Sequence, residues 1–241
     1  MQLERIRERA RKGHAAEETK KRLMEAGTEL FGRYSFDGVS TRNLADRANV
    51  NLASIQYYFG GKEGLYLAVA RHIVERVRSW ISPQISKTDR ILTDENPDKE
   101  TCFRLLCELL DRILAHALGD PESKRWMGIF LREQVEPTGA FDILYDGIME
   151  PIHRCLCRLT ARILDLPEHD TETKVRSYAV AAPILMFHIS RAEIARTLNW
   201  NEYGPDEIEA IRRAVLEHSR AVFEMPRRLL EAHFATDTKQ A

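Results

Sequence analysis

Two groups of residues in this chain have types and spacings that could do chemistry. The first lies in residues 40 to 62, STRNLADRANVNLASIQYYFGGK. Ile55 and Phe59 are four apart and share the buried face of a short helix, which leaves Leu52, Ala53, Ser54, Gln56, Tyr57 and Tyr58 for another partner. Amide, hydroxyl and phenol groups on the outward face of the second of two helices at a tight turn are what reading a major groove requires. The second group is Glu150 and His153, three apart on a helix and equivalent to half of a carboxylate-bridged di-metal site. Such a site needs a second Glu-x-x-His and two further glutamates. The chain holds no second copy, so a surface or pocket-lining pair is the reading and no metal or other cofactor is expected. His153 and Cys157 share a face, as a buried thiol beside a satisfied imidazole would, whereas Cys155 and Cys157 are two apart and face different sides.

The elements that position the first group can be followed from residue types. Ser40 is a good N-cap, and Leu44, Ala45 and Ala48 recur at helical spacing, so the first short helix runs from about 41 to 48. Asn49 stands where the chain turns sharply and tolerates left-handed backbone; Val50 can plug the angle between the helices. Asn51 caps the second helix and Gly60 with Gly61 stops it. Behind them, Leu23, Ala26, Gly27, Leu30 and Phe31 form the stripe of a helix over residues 17 to 34, and Phe36 and Val39 complete a three-helix head. A fourth helix opens at Lys62 and carries Leu65, Tyr66, Val69, Ile73, Val74 and Val77 inward to residues 80 to 85. Pro83 and the polar run 86 to 98 predict a loop or break there.

These residues resemble a known family. The stretch Ala48-Asn49-Val50-Asn51 through Tyr57-Tyr58-Phe59, followed by Lys62-Glu63 and Leu65-Tyr66, is similar to the DNA-binding signature of TetR-family transcriptional regulators with an AcrR-like head. Upstream, Leu30-Phe31, Phe36-Asp37-Gly38, Ser40 and Leu44-Ala45 fit the same pattern, so residues 17 to 70 are covered closely and the rest in helical layout. As DNA contacts the resemblance implies Thr41, Arg42, Asn51, Leu52, Ala53, Ser54, Gln56, Tyr57, Tyr58 and Lys62. Gln56 suits a bidentate contact to adenine, Arg42 a guanine or phosphate, and Ala53 or Leu52 a thymine methyl. Tyr57, Ser54, Thr41 and Lys62 suit phosphates. For Tyr58, packing inward remains an open alternative. The chain departs from the family at Ser35 and Asn49, where glycine is usual, and at Gln56, where tyrosine is common and base preference should therefore change. A left-handed Ser35 would be mildly strained.

Beyond the head the pattern is helical throughout, with no strand period or internal repeat. Helices are expected from Asn96-Pro97-Asp98 to about 118, from Asp120-Pro121 to near Pro137, from Thr138 to Leu166 with a kink at Pro151, over 171 to 198, and over 205 to 232. The fold class is all-α, about nine helices. It divides into a basic flexible arm (1 to 15), a helix-turn-helix domain (16 to 61), an effector-binding and dimerisation domain (62 to 235) and a tail (236 to 241). In the arm, Arg5, Arg7, Arg9, Arg11 and Lys12 suit phosphates or a minor groove, with a solvated tail as the alternative.

Segment Arg132-Glu133-Gln134 through Pro137-Thr138 and Phe141-Asp142, with Pro151, is similar to the C-terminal domain of the CecR-type subgroup. That resemblance implies a small-molecule pocket, for which Trp126, Phe130, Phe141, Tyr145, His153, Tyr178, Phe187, His188 and Arg191 are the candidate lining, although each apolar member could equally be ordinary core. The last two helices suit a dimer interface through Ala179, Ala182, Met186, Ile208, Ile211, Val215 and Val222, and the family implies a four-helix bundle from two such hairpins. Burial within one chain is the alternative.

Bulk properties agree. With 241 residues and 44% apolar content the chain can build a real core. Net charge is −1 overall, but residues 1 to 62 carry +4 and the remainder −5, which suits a phosphate-facing head. Four cysteines in apolar helical stretches, with no signal-peptide core and no membrane-length apolar run, predict reduced buried thiols in a cytoplasmic protein. The expected function is a ligand-responsive repressor that binds a palindromic operator in double-stranded DNA as a homodimer and is released by an unidentified small molecule. The rivals are a helical-bundle enzyme, which would need a nucleophile elbow, His-Glu-x-x-His or phosphate-cradling loop that the sequence lacks, and an effector-independent activator or architectural factor.

Overall fold

Residues 2 to 12 hold no proline or glycine and consist mainly of strong helix formers, so helix α1 starts at once and runs Gln2–Arg33. The segment expected as a flexible arm is thus helical backbone. The computed structural model describes residues 2 to 94 and 96 to 224, with side chains from residue 13. The side chains of Arg5, Arg7, Arg9, Arg11 and Lys12, the helix end expected at 232, the domain end at 235 and the tail from 236 lie outside the described residues. In order follow α2 (Thr41–Ala48), α3 (Ala53–Phe59), α4 (Lys62–Asp94), α5 (Lys99–Gly119), α6 (Pro121–Val135), α7 (Gly139–Leu144), a π-helical turn (Tyr145–Met149), α8 (Glu150–Leu164), α9 (Thr171–Ile189), α10 (Arg191–Leu198) and α11 (Pro205–Glu224). The described residues contain no strand, as expected for an all-α chain.

Two compact units divide these elements. One comprises Met1–Ser82 with Asp120–Pro151, the other Pro83–Gly119 with Ile152–Ala241. The first joins α6, α7 and the π turn to the three-helix head. The second is a bundle in which α11 packs on α5 and α9, and α9 on α5. Leu105, Leu106, Leu109 and Leu110 of α5 are fully buried there, with Val180, Ile211 and Val215.

Helix α4 does not stop where a break was expected. Ile81, Ile85, Thr88 and Leu92 are all buried and recur at i, i+4, i+7 and i+11, so one stripe continues past Pro83 and outweighs the amide the proline removes. Lys87 donates to Glu108 at 2.6 Å and Arg158 pairs with Asp89, which fastens this polar-looking run. Helices α5 and α6 open as their caps require: Thr101 N donates to Asp98 Oδ1 and Glu122 N to Asp120 Oδ1. The helix pattern over 171 to 198 is interrupted at Ser190, and Asn199, left-handed at φ 55°, ends α10.

The kink expected at Pro151 is resolved one turn upstream. With no amide at 151, the backbone widens over Tyr145–Met149, where Glu150 N donates to Tyr145 O across five residues. Gly147 faces α4 in this turn, and a Cβ there would lie 2.5 and 2.6 Å from the two methyl carbons of Val74. Gly147→Ala is therefore expected to lower unfolding stability by about 1–3 kcal/mol through overpacking, read from denaturant midpoints. An unchanged midpoint would contradict this packing.

Candidate nucleic-acid interface

Helices α2 and α3 are set by local chemistry. Ser40 Oγ accepts from Asn43 N at 3.1 Å while Asn43 Oδ1 accepts from Ser40 N at 3.2 Å, a reciprocal cap at the start of α2. Asn49 is left-handed at φ 51°, ψ 53°, and Val50 N returns to Ala45 O at 3.0 Å, closing the helix. Asn51 Oδ1 accepts from Ala53 N at 2.8 Å and opens α3, so this carboxamide serves the fold before any phosphate. Ser35 does not share the left-handed backbone usual for a family glycine. Its Oγ instead accepts from Gly38 N at 3.2 Å, so the expected strain does not arise.

The core behind them takes up most of the large apolar groups of the head. Leu23, Phe31, Val39, Leu44, Ile55 and Leu65 are buried, and Tyr66 packs edge-on against Phe31 with ring centroids 4.9 Å apart. What remains outside is the expected face: Leu52 is 51% and Tyr57 81% exposed, with Ala53 and Gln56 exposed beside them. Arg42 is exposed on the first turn of α2, and Thr41 and Ser54 are half-buried.

Two expected contacts carry other duties. Tyr58 is half-buried, edge-on to Tyr57 at 4.8 Å and with Lys20 Nζ 5.9 Å from its ring centre, so it ties α3 to α1. Lys62 donates to Phe36 O at 3.1 Å and sits 4.1 Å from the Phe36 ring. Its ammonium holds the loop between α1 and α2.

Residues beyond residue 120 also hold this head. Arg132 of α6 donates to Phe31 O and, at 3.3 Å, to Gly32 O, two carbonyls in the last turn of α1. Glu133, 1% exposed, accepts from Tyr66 Oη at 2.6 Å and from Thr138 N and Oγ1 at 2.9 Å. Burial and the Glu133 hydrogen bond push the Tyr66 hydroxyl well above its ordinary pKa, which keeps it a donor. The sequence carried a signal for Glu133 in the i, i+3, i+7 stripe Trp126, Ile129, Glu133, where a carboxylate on an apolar face needs buried partners.

The candidate effector residues are divided between the units. In the first, Trp126 is buried where α6 crosses α1, so it is core and not pocket wall. Phe130 is half-buried, and Phe141 stacks on half-exposed Tyr145 at 5.8 Å. In the second, His153 stacks on Tyr178 at 3.8 Å and lies 3.4 Å from Cys157 Sγ, while Tyr178 is otherwise turned outward. Arg191 lies 4.3 Å from the Tyr203 ring, and Tyr203 donates to Phe187 O at 3.1 Å; Tyr203 was not among the expected residues. Burial, with Arg191 adding to it and a backbone hydrogen bond with Ala117 opposing, lowers the pKa of His188, and among the described residues no hydrogen-bond partner meets its Nδ1.

Of the expected interface residues, Ala179, Ala182 and Met186 are exposed on α9, whereas Ile208 and Val222 are half-buried. Ile211 and Val215 are corrected to core: they are 2% and 1% exposed, because the stripe that makes α11 amphipathic is the one that packs on α5 and α9. Among the described residues no three His, Cys, Asp or Glu side chains converge as a metal site would require. Burial pushes the Cys155 thiol up to about 12 and raises Cys102 and Cys107 too, so none is a ready nucleophile; Cys107 is only half-buried. No described helix is long and apolar enough to cross a membrane.

Comparison with known proteins places this geometry. Residues 23–69 match the family model of bacterial regulatory proteins, tetR family, and residues 104–224 match that of the C-terminal domain of the HTH-type transcriptional dual regulator CecR. The dual regulator CecR of Shigella flexneri is 29% identical over 202 residues, 84% of this chain and 90% of that protein. The regulator RutR of Escherichia coli (strain K12) is 30% identical over 78 residues, 32% of this chain and 35% of that protein. Among solved structures, HlyIIR, a hemolysin II transcriptional regulator, has a TM-score of 0.56 at 18% identity, covering 83% of this chain and 97% of its own. A TetR-like transcriptional regulator from Rhodococcus sp. RHA1 has a TM-score of 0.56 at 14% identity, covering 86% and 97%. At those identities the likeness is one of fold.

Gln56→Ala is expected to relax base preference at a single base-pair position, with discrimination there falling by about 1–3 kcal/mol. Binding selections on randomised duplexes check this, and an equal loss across all sequences would remove Gln56 from base reading.

Proposed function

Because the chain belongs to the TetR family of DNA-binding transcriptional regulators, with a C-terminal domain of the CecR type, we propose that it is a ligand-responsive repressor acting as a homodimer on a palindromic operator. Two copies of α3 would enter successive major grooves about one helical turn apart. Thr41, Arg42, Ser54, Tyr57 and the remaining donors of Lys62 would hold phosphates, and Gln56, Ala53 and Leu52 would meet bases. Binding would then weaken steeply with salt as phosphate contacts release counterions. Acting on an operator of this kind, it would work in the cytoplasm.

The observation that carries the homodimer is the outward face of α9. Val175, Tyr178, Ala179, Ala182, Leu185, Met186 and Ile189 recur at the three-and-four spacing of a helix-pairing seam. Val175 and Tyr178 are each 60% exposed, and Met186 and Ile189 nearly as much. A groove of about 600 Å³ runs along this face, lined by Ala179, Ala182, Pro183, Leu185, Met186, Phe187, Ile189 and Ile194. So much contiguous apolar surface on one helix is what an interface leaves when its partner is removed.

Release by a small molecule rests on the family and on two structural features. Helix α4 is one continuous element from Lys62 to Asp94, so a ligand that shifted it would act on a helix that opens directly after the α3 turn. In the second unit the Nδ1 of His188, without a hydrogen-bond partner among the described residues, is a buried polar atom a ligand could satisfy. An effector that prefers the released state about 100-fold supplies about 2.7 kcal/mol, enough to shift operator occupancy. Gel shifts on the protein's own upstream region, with and without candidate small molecules, separate this reading from an effector-independent activator, for which no compound would change the shift.

Met186→Glu places a charge in the α9 seam and is expected to halve the solution mass and weaken palindrome binding more than about tenfold. Wild-type protein that sizes as a single chain at operator-saturating concentration would overturn the homodimer.

A further inference from the structure

We propose that the DNA-reading unit of this regulator extends to α6, and that Arg132 and Glu133 are positioning residues that set the orientation of the recognition helix through α1 and α4. The inference rests on the homodimer reading, because orientation is expressed as a spacing between two heads.

The geometry begins with backbone approach. A Cβ on Gly32 would overlap the carbonyl oxygen of Arg125, and one on Gly128 would overlap that of Gly32, so α1 and α6 cross with main chain against main chain. Arg132 lies one turn beyond Gly128, and its guanidinium reaches Phe31 O and Gly32 O. These belong to the last turn of α1, where carbonyls lack helical partners and the helix dipole favours a cation. The neighbouring residue grips a second helix. Glu133 accepts the Tyr66 hydroxyl of α4 and is anchored from behind by the amide and hydroxyl of Thr138, which also caps α7.

Adjacent residues of α6 therefore hold two head helices at once. Tyr66 in turn touches Phe31 and Phe36, while α1 packs on both α2 and α3. Close packing without side-chain cushioning at Gly32 and Gly128 transmits a shift of α6 instead of absorbing it. A register change in α6 would thus tilt α1, and with it Gln56 and Tyr57.

Binding of the full-length protein to palindromic duplexes whose half-site spacing is changed one base pair at a time tests this. Wild type is expected to show one optimal spacing. Arg132→Gln should lose about tenfold at that optimum and less at neighbouring spacings, giving a broadened or displaced profile, with Arg132→Lys in between. Tyr66→Phe removes only the hydroxyl from Glu133 and gives a second test if Arg132→Gln folds poorly; it too should broaden the profile. Thermal melting and solution mass are measured alongside. Equal loss at every spacing, in step with a lowered melting temperature, would reduce both residues to structural support and overturn the proposal, as would variant profiles identical to wild type. Wild-type protein without any optimum would overturn the homodimer reading and this inference with it.

Discussion

A carboxylate removed from water must be matched by donors, and in the first unit one such match ties distant stretches of chain together. Glu133 is buried among the Tyr66 hydroxyl and the amide and hydroxyl of Thr138, all three of which donate to it. Leaving any of these donors unmet would be costly in a dry site, so the register of α6 against α4 is held to one value. Around it the aromatic cluster of Phe31, Phe36 and Tyr66 closes the head, and Lys62 pins the loop that leads into α2. The exposed face of α3 is what remains after those demands are met.

The groups of that face suit recognition: they are amide, phenol, hydroxyl and methyl on a short helix, able to match base edges and phosphates. Elsewhere, burial raises the thiols of Cys102, Cys107 and Cys155. Helix α9 carries a different surface, with Val175, Met186 and Ile189 each more than half exposed along one face.

Much of the head was legible because its signals are local. Ser40 with Asn43, Asn49 and Asn51 each act on backbone within a few residues, so type and position predict their conformation. Helix continuity was less legible. Pro83 looked like a stop, yet the stripe through Ile85, Thr88 and Leu92 carried α4 onward, and Lys87 and Asp89 proved to be ion-paired helix residues. At Pro151 the missing amide was absorbed by a π turn over Gly147 and not by a simple bend at the proline.

By itself the sequence determined the all-α class, the caps and turn of α2 and α3, and the identity of the outward face around Gln56 and Tyr57, because short-range hydrogen bonds and helical period need no distant partner. Only the tertiary structure decided which stripe of α11 is core, that Tyr58 and Lys62 are engaged within the head, and that Arg132 and Glu133, which lie 101 and 67 positions along the chain from their respective partners Phe31 and Tyr66, close onto α1 and α4. Such contacts depend on how helices approach in space, and periodicity along one helix says which side is buried without saying against what.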